Sequence, residues 1–161
     1  MGDDGPLDLW CEAVRPGWID FNGHMNVAYY VLIFDHAVDA LFNHVGLDTD
    51  YRTRTTGSTF TVESHITYDR ELVEGDEARC TAQLMDFDEK RIHHYYEMYH
   101  ATEGYLAATT EFMSLHVDLE TRRVVPMPDA ILDQLGGLMA SHARLPRPEN
   151  LGRVINNKGY R

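Results

Sequence analysis

One long apolar stripe constrains this chain more than any other feature. Apolar residues recur at Val27, Tyr30, Val31, Phe34, Val38, Leu41, Phe42 and Val45, the i, i+3, i+4, i+7 spacing that lines one face of an α-helix. Asn26 stands where an N-cap accepts free backbone N–H groups, and Gly46 stands where a C′ glycine ends a helix. The spacing predicts one long amphipathic helix between them. A stripe this wide needs a large apolar surface to cover it.

The flanking sequence supplies sheet. A strand-like segment from Leu9 to Arg15 ends at the turn Pro16-Gly17. Beyond a polar loop at Tyr51 to Gly57, alternation sends Phe60, Val62, Ile66 and Tyr68 one way and Thr61, Glu63, His65 and Thr67 the other. Three further strand-like segments, Glu77 to Phe87, Ile92 to Thr102 and Tyr105 to Val117, are joined by links short enough to make neighbours antiparallel. From Pro128, a plausible N1 residue, to His142 the apolar positions Ile131, Leu132, Leu135, Leu138 and Met139 have helical spacing, interrupted by Gly136-Gly137. The stretch 146–161 reads as an irregular tail. The expectation is an α+β chain, 1–161 as a single domain: an antiparallel sheet of about five strands wrapped around one long central helix, with an additional C-terminal helix. Such a sheet leaves an open edge, so a homo-oligomer is expected.

Charge and motif absences narrow the function. With 14 Lys plus Arg against 26 Asp plus Glu, a formal charge of -12, there is no basic face for duplex nucleic acid. No apolar run is long enough for a helical membrane span. The two cysteines, Cys11 and Cys80, have neither CxxC nor Cys/His spacing, and the acidic start at Asp3 and Asp4 is unlike a signal peptide, so a reducing cytoplasm is the expected location. There is no GxSxG, GxxxxGK[ST], HExxH or GxGxxG. His93 and His94 are adjacent on a strand and face opposite sides, so no metal site is expected.

What remains is the helix entrance. Asp20, His24 and Asn26 lie within seven residues, next to backbone N–H groups that have no intrahelical acceptor. Such donors stabilise a carbonyl oxygen that gains charge during acyl transfer. A carboxylate just upstream then acts as nucleophile or as general base for water. The plainer reading is that Asp20 and Asn26 only cap the helix while His24 fills a turn.

The run Asp20-Phe21-Asn22-Gly23-His24-Met25-Asn26-Val27-Ala28-Tyr29-Tyr30 resembles the D-x-x-G-H-x-N-x-x-x-Y signature of hotdog-fold acyl-CoA thioesterases of the 4-hydroxybenzoyl-CoA thioesterase type. The element order and the turn Val73-Glu74-Gly75-Asp76 extend the resemblance over nearly the whole chain. Within that family, Phe60 to His65, Asp88 to Arg91 and Leu115 to Asp118 look like the thioesterases of carnitine breakdown, which act on betainyl-CoA. The resemblance implies that Asp20 is the catalytic carboxylate, with His24 beside it, and that the N–H groups near Asn26 and Val27 form the oxyanion site. It also implies a site between two subunits of a homodimer, or of a tetramer of dimers. No cofactor is implied, coenzyme A being part of the substrate.

Several residues keep two readings. Glu63 is a second site carboxylate or a solvated strand residue, and Glu111 is a site residue or a buried paired carboxylate. Trp18, Phe21, Tyr29 and Tyr30 flank the entrance and, with these carboxylates, suit a quaternary ammonium acyl group, or they are simply core. Lys90 and Arg91 are the best local positive spot for the coenzyme A phosphates, with Arg52 and Arg54 as competitors, or form a solvated basic turn. Two rival functions stand beside the thioesterase. One is a hotdog enoyl-CoA hydratase or dehydratase using an Asp20/His24 pair, although Asn22-Gly23 occupies the place of that group's Asn-Pro. The other is a non-catalytic acyl-CoA-binding module.

Overall fold

The computed structural model describes residues 5–157; the acidic Asp3 and Asp4 and the last four residues of the tail lie outside them. Helix α1 (Val27–His44) is the expected long helix. The Asn26 side chain accepts the Ala28 N–H at 3.0 Å, and Gly46 takes a φ of 88° just past the end, a left-handed value that suits glycine. The buried face is rotated from the expected stripe. Ile33 and Ala37 are fully buried beside Tyr30, Phe34, Val38, Leu41 and Phe42, whereas Val27 and Val31 are exposed. The apolar surface of α1 is therefore wider than the sheet that covers it.

The strands are β1 (Leu7–Ala13), β2 (Gly57–Tyr68), β3 (Glu77–Phe87), β4 (Arg91–His100), β5 (Leu106–Asp118) and the short β6 (Arg123–Val124). They form one antiparallel sheet in the order β1-β3-β4-β5-β2, with β6 on β5. Strands β1 and β2 sit at opposite edges, so α1, which joins them, must cross the whole sheet. The inner face buries Ala78, Cys80, Ala82 and Leu84 of β3, Ile92, Tyr96 and Met98 of β4, and Ala108 and Phe112 of β5 against α1. This is the hotdog arrangement. Helix α3 (Asp129–His142) adds Ile131, Leu135 and Leu138 to the core, and His142 Nδ1 accepts the Leu84 N–H at 2.8 Å.

Four expectations need correction. Strand β1 runs two residues earlier than the segment from Leu9 to Arg15. The polar loop at Tyr51 to Gly57 holds a helix, α2 (Thr49–Arg54), capped by Asp48 Oδ1 on the Tyr51 N–H at 2.7 Å; six residues are too few to show an apolar period. Pro128 is the N-cap of α3, not its first helical residue, and Gly136-Gly137 do not break the helix. In β2 a bulge leaves Val62 as the extra residue between Thr61, opposite Ser114, and Glu63, opposite Met113. It inverts the alternation: Thr61 shares the inner face with Ile66 and Tyr68, while Phe60 joins Glu63, His65 and Thr67 outside.

The stretch after Leu145 has no regular structure up to Asn157, yet it is docked. It crosses the outer face of the sheet through Gln83 Nε2 donating to Pro146 O at 3.4 Å, Asn150 Nδ2 donating to Thr67 Oγ1 at 3.3 Å, and Gly152 N–H donating to Glu111 at 2.6 Å. No helix among the described residues is long and apolar enough to cross a membrane, and both cysteines are free thiols.

Buried polar groups pin the register of the sheet. His94 is fully buried, with its ring nitrogens 2.9 Å from the Tyr96 hydroxyl and 2.9 Å from Ser114 Oγ. Burial, together with neighbouring His93, lowers its pKa to about 3. An imidazole kept neutral in the fold titrates near 6.5 once unfolded, so the unfolded chain binds the extra proton between those values and stability falls as pH drops below about 6.5. Denaturant titrations from pH 7 to pH 4 are expected to lose roughly 1 kcal/mol per pH unit to this residue. The slope should flatten by that amount in His94→Gln, and an unchanged slope contradicts the assignment.

Candidate active site

The loop between β1 and α1 is closed by backbone bonds. The Asp20 N–H donates to His24 O at 3.1 Å, the Gly23 N–H donates to Asp20 O at 3.0 Å, and at the base the Asn26 N–H donates to Trp18 O at 2.9 Å. Gly23 has a φ of 83°, which the Asn22-Gly23 turn requires. Met25, fully buried, pairs with Ile19 and donates its N–H to Leu72 O at 2.8 Å. The loop is thus anchored on the core, with Phe21 at its exposed tip.

Asp20 is half-buried. Its Oδ1 accepts the Asn22 N–H at 2.8 Å, and its Oδ2 has no partner among the described residues. Of the first N–H groups of α1, that of Ala28 goes to Asn26 Oδ1 and that of Tyr29 to Asn26 O. The Val27 N–H has no partner among the described residues and stands at the positive end of an 18-residue helix. A carboxylate oxygen and a helix-terminal donor are what hydrolysis of a carbonyl compound needs. His24 turns away from this pair: its Nδ1 lies 3.3 Å from Met25 O, and no hydrogen bond joins it to the Asp20 side chain. The Asp/His pair required by the hydratase reading is not formed.

The aromatic residues divide. Trp18 is buried and stacks on Tyr29, with 5.0 Å between ring centres and 12° between planes, and the Arg15 guanidinium lies 4.9 Å from the Trp18 ring centre. Tyr30 belongs to the core: it is 3 % exposed, its hydroxyl accepts the Leu72 N–H at 3.0 Å, and burial raises its pKa. Within the chain it takes the core reading, its hydroxyl tying the loop after β2 to α1.

The remaining candidates lie elsewhere in the chain. Glu63 is exposed on the outer face of β2. Glu111 is a paired carboxylate on the same face, 2.7 Å from His93 Nε2 and accepting the Gly152 N–H. Lys90 and Arg91 stand at the β3–β4 turn, where they pair with Glu89 at 2.9 Å and Asp88 at 2.5 Å. That end of the sheet, where Arg91 faces Leu115 and Leu115 faces Phe60, is opposite the Tyr68 end near the Asp20 loop. Arg52 and Arg54 donate to Leu47 O and Asp50 O around α2. His93 and His94 point to opposite faces. Large grooves of about 520 and 420 Å³ lie on the outer face beside the tail, lined by residues such as Gln83, Tyr95, Thr109 and Arg147. Asp20 lines neither of them.

Sequence reasoning missed one cluster next to the loop. Glu12 on β1 accepts Arg15 Nη2 at 2.8 Å and Trp10 Nε1 at 3.1 Å, and its Oε2 lies 2.6 Å from His36 Nδ1. Burial opposes its charge, but the bonds from His36 and Trp10 prevail and lower its pKa. The pair Glu12 and His36 is 24 residues apart, so only the Glu12-to-Arg15 spacing was visible locally.

Residues 14–135, which span the loop, α1 and most of the sheet, match the thioesterase-like superfamily. This chain belongs to that superfamily. The Pseudomonas aeruginosa betainyl-CoA thioesterase is 39 % identical over 92 % of this chain and 94 % of its own length. A Rhizobium L-carnitine dehydrogenase/betainyl-CoA thioesterase is 35 % identical over 98 % of the chain, which spans only 32 % of that longer protein. A Staphylococcus aureus protein solved in complex with CoA superimposes with a TM-score of 0.85 at 30 % identity, covering 94 % of this chain and 98 % of that one.

In this thioesterase-like chain the placement of Tyr30 has a direct test. Tyr30→Phe leaves the Leu72 N–H buried without an acceptor and is expected to cost ~1–3 kcal/mol in denaturant unfolding. KM for acyl-CoA should stay within about twofold, since buried Tyr30 offers a substrate no surface; a KM rising more than fivefold at unchanged stability contradicts the core assignment.

Proposed function

We propose that this acyl-CoA thioesterase acts on a small cationic acyl-CoA, with betainyl-CoA as its substrate, and that water and Asp20 cleave the thioester at the start of α1. The observation that carries the proposal is that one backbone-closed loop holds Asp20, whose Oδ2 has no partner among the described residues, and leads into the Val27 N–H, which has none either. The thioester carbonyl oxygen accepts the Val27 N–H, and the helix dipole favours the charge it gains. The Asp20 carboxylate then attacks the carbonyl carbon itself or takes a proton from the attacking water. In the first route the carbon–sulfur bond breaks as an acyl–Asp20 anhydride forms, and water then hydrolyses that anhydride, regenerating the carboxylate and supplying the proton for the coenzyme A thiolate. In the second route the proton that Asp20 takes from water passes to the departing sulfur, so both end in the free acid and the coenzyme A thiol. The choice of acyl group is supported by the betainyl-CoA thioesterase relatives.

The site is completed by a second copy of the chain. Strand β2 is 12 residues long and pairs only with β5 among the described residues, so one row of its backbone groups is free. Val62 and Tyr68 on it are exposed, as are Phe21, Val27 and Val31 around the loop. Antiparallel pairing of two β2 edges brings the Phe60 end of one copy to the Tyr68 end of the other. Glu63 of the partner subunit then approaches this chain's Asp20 loop.

Asp20→Asn retains the acceptor for the Asn22 N–H and should leave the fold and melting temperature unchanged, while thiol release from acyl-CoA falls about a hundredfold or more. Activity within a few-fold of wild type refutes the mechanism. The acyl group is tested by comparing betainyl-CoA with its neutral isostere 3,3-dimethylbutyryl-CoA. The cation should gain at least about fivefold in kcat/KM, the range of a cation–π contact. Equal values leave the thioesterase and remove the cationic pocket. No thiol release from any acyl-CoA, despite coenzyme A binding, identifies a binding module instead.

A further inference from the structure

We infer that Arg15, held by Glu12, is a positioning residue for the Asp20 loop, a role that rests on the hydrolysis proposed above. Glu12 is the fixed point. Its side chain is 10 % exposed, and its carboxylate gathers Trp10 Nε1 at 3.1 Å, His36 Nδ1 at 2.6 Å and Arg15 Nη2 at 2.8 Å. It thereby joins β1 to the third turn of α1. Arg15 carries that tie one step further, because its guanidinium lies 4.9 Å from the centre of the Trp18 ring. The same ring stacks on Tyr29 in the first turn of α1, and the Trp18 carbonyl accepts the Asn26 N–H at 2.9 Å.

Trp18 and Asn26 are the two ends of the loop that holds Asp20. Between β1 and Trp18 the backbone of Val14 is held by the turn before β3, its N–H donating to Asp76 O at 2.8 Å and its carbonyl accepting the Gly75 N–H at 3.0 Å. The turn at Pro16-Gly17 follows, where the Trp18 N–H donates to Arg15 O at 3.0 Å. The side-chain route from Glu12 through Arg15 to Trp18 adds a lateral tie of the loop base to β1, beside the Met25 bonds to the core and the Trp18–Tyr29 stack. The Arg15 side chain is 65 % exposed, so its pairing contributes little to overall stability. Catalytic alignment is far less tolerant, since a shift of about 1 Å can cost roughly a hundredfold in rate. One interaction can therefore be minor for the fold and large for turnover.

The test compares Arg15→Leu, which keeps the aliphatic cover of Trp18 but not the charge, with Arg15→Lys, which keeps a cation in reach of Glu12 and the ring. Arg15→Leu should lower kcat about tenfold with KM within about twofold. Its melting temperature should stay close to wild type, and amide exchange in residues 18–27 should quicken while the strands are unchanged. Arg15→Lys should recover at least half of the lost turnover. Unchanged exchange with kcat within about twofold of wild type overturns the role, as does a loss of activity that follows the unfolded fraction. If exchange quickens as expected but the wild-type protein hydrolyses no acyl-CoA, the loop tie stands and the thioesterase reading fails instead.

Discussion

Asn26 builds the start of α1 with its side-chain oxygen and both of its backbone polar groups. Its side chain accepts the Ala28 N–H, its carbonyl accepts the Tyr29 N–H, and its own N–H closes the preceding loop onto the Trp18 carbonyl. One residue thus caps the helix and sets the base of the loop that presents Asp20. Because Asn26 satisfies the Ala28 and Tyr29 donors, the donor left over is that of Val27, next to the loop. The free N–H and the free carboxylate oxygen follow from the same local bonding.

The rest of the fold holds that entrance in place. Strands β1 and β2 lie at opposite edges of the sheet, and the helix between them crosses its inner face, so the start of α1 is fixed against the core by Met25, Tyr30 and Leu72. The outer side of the loop is open to solvent, with Phe21 at its tip. Phe21, Val27 and Val31 are exposed around it, while Glu63 and the Lys90-Arg91 turn stand on other parts of the sheet.

How much was legible depended on the range of the signal. The long helix, the main strands and the Asp20 loop were readable because each is written in contiguous residues at a regular spacing or in a short motif. Helix α2 was not, having six residues and no stripe. The Val62 bulge was invisible because alternation continues on either side of it and only pairing with β5 shows the extra residue. The Glu12–His36 contact joins positions 24 apart, and the docked tail is held through backbone groups, hydroxyls and amides, which leave no hydrophobic period. Tyr30 fitted the family signature as well as the core pattern, and in this chain it is buried.

The central claim is that the thioester lies between Asp20 and the first turn of α1. A crystal structure of Asp20→Asn with unhydrolysed betainyl-CoA tests it most directly. The account predicts the thioester carbonyl oxygen within hydrogen-bonding distance of the Val27 N–H, about 3 Å, with the amide at position 20 facing the carbonyl carbon and a second copy of the chain closing the pocket across β2. A thioester bound instead in the outer-face groove beside Tyr95 and Thr109, away from the start of α1, would contradict it.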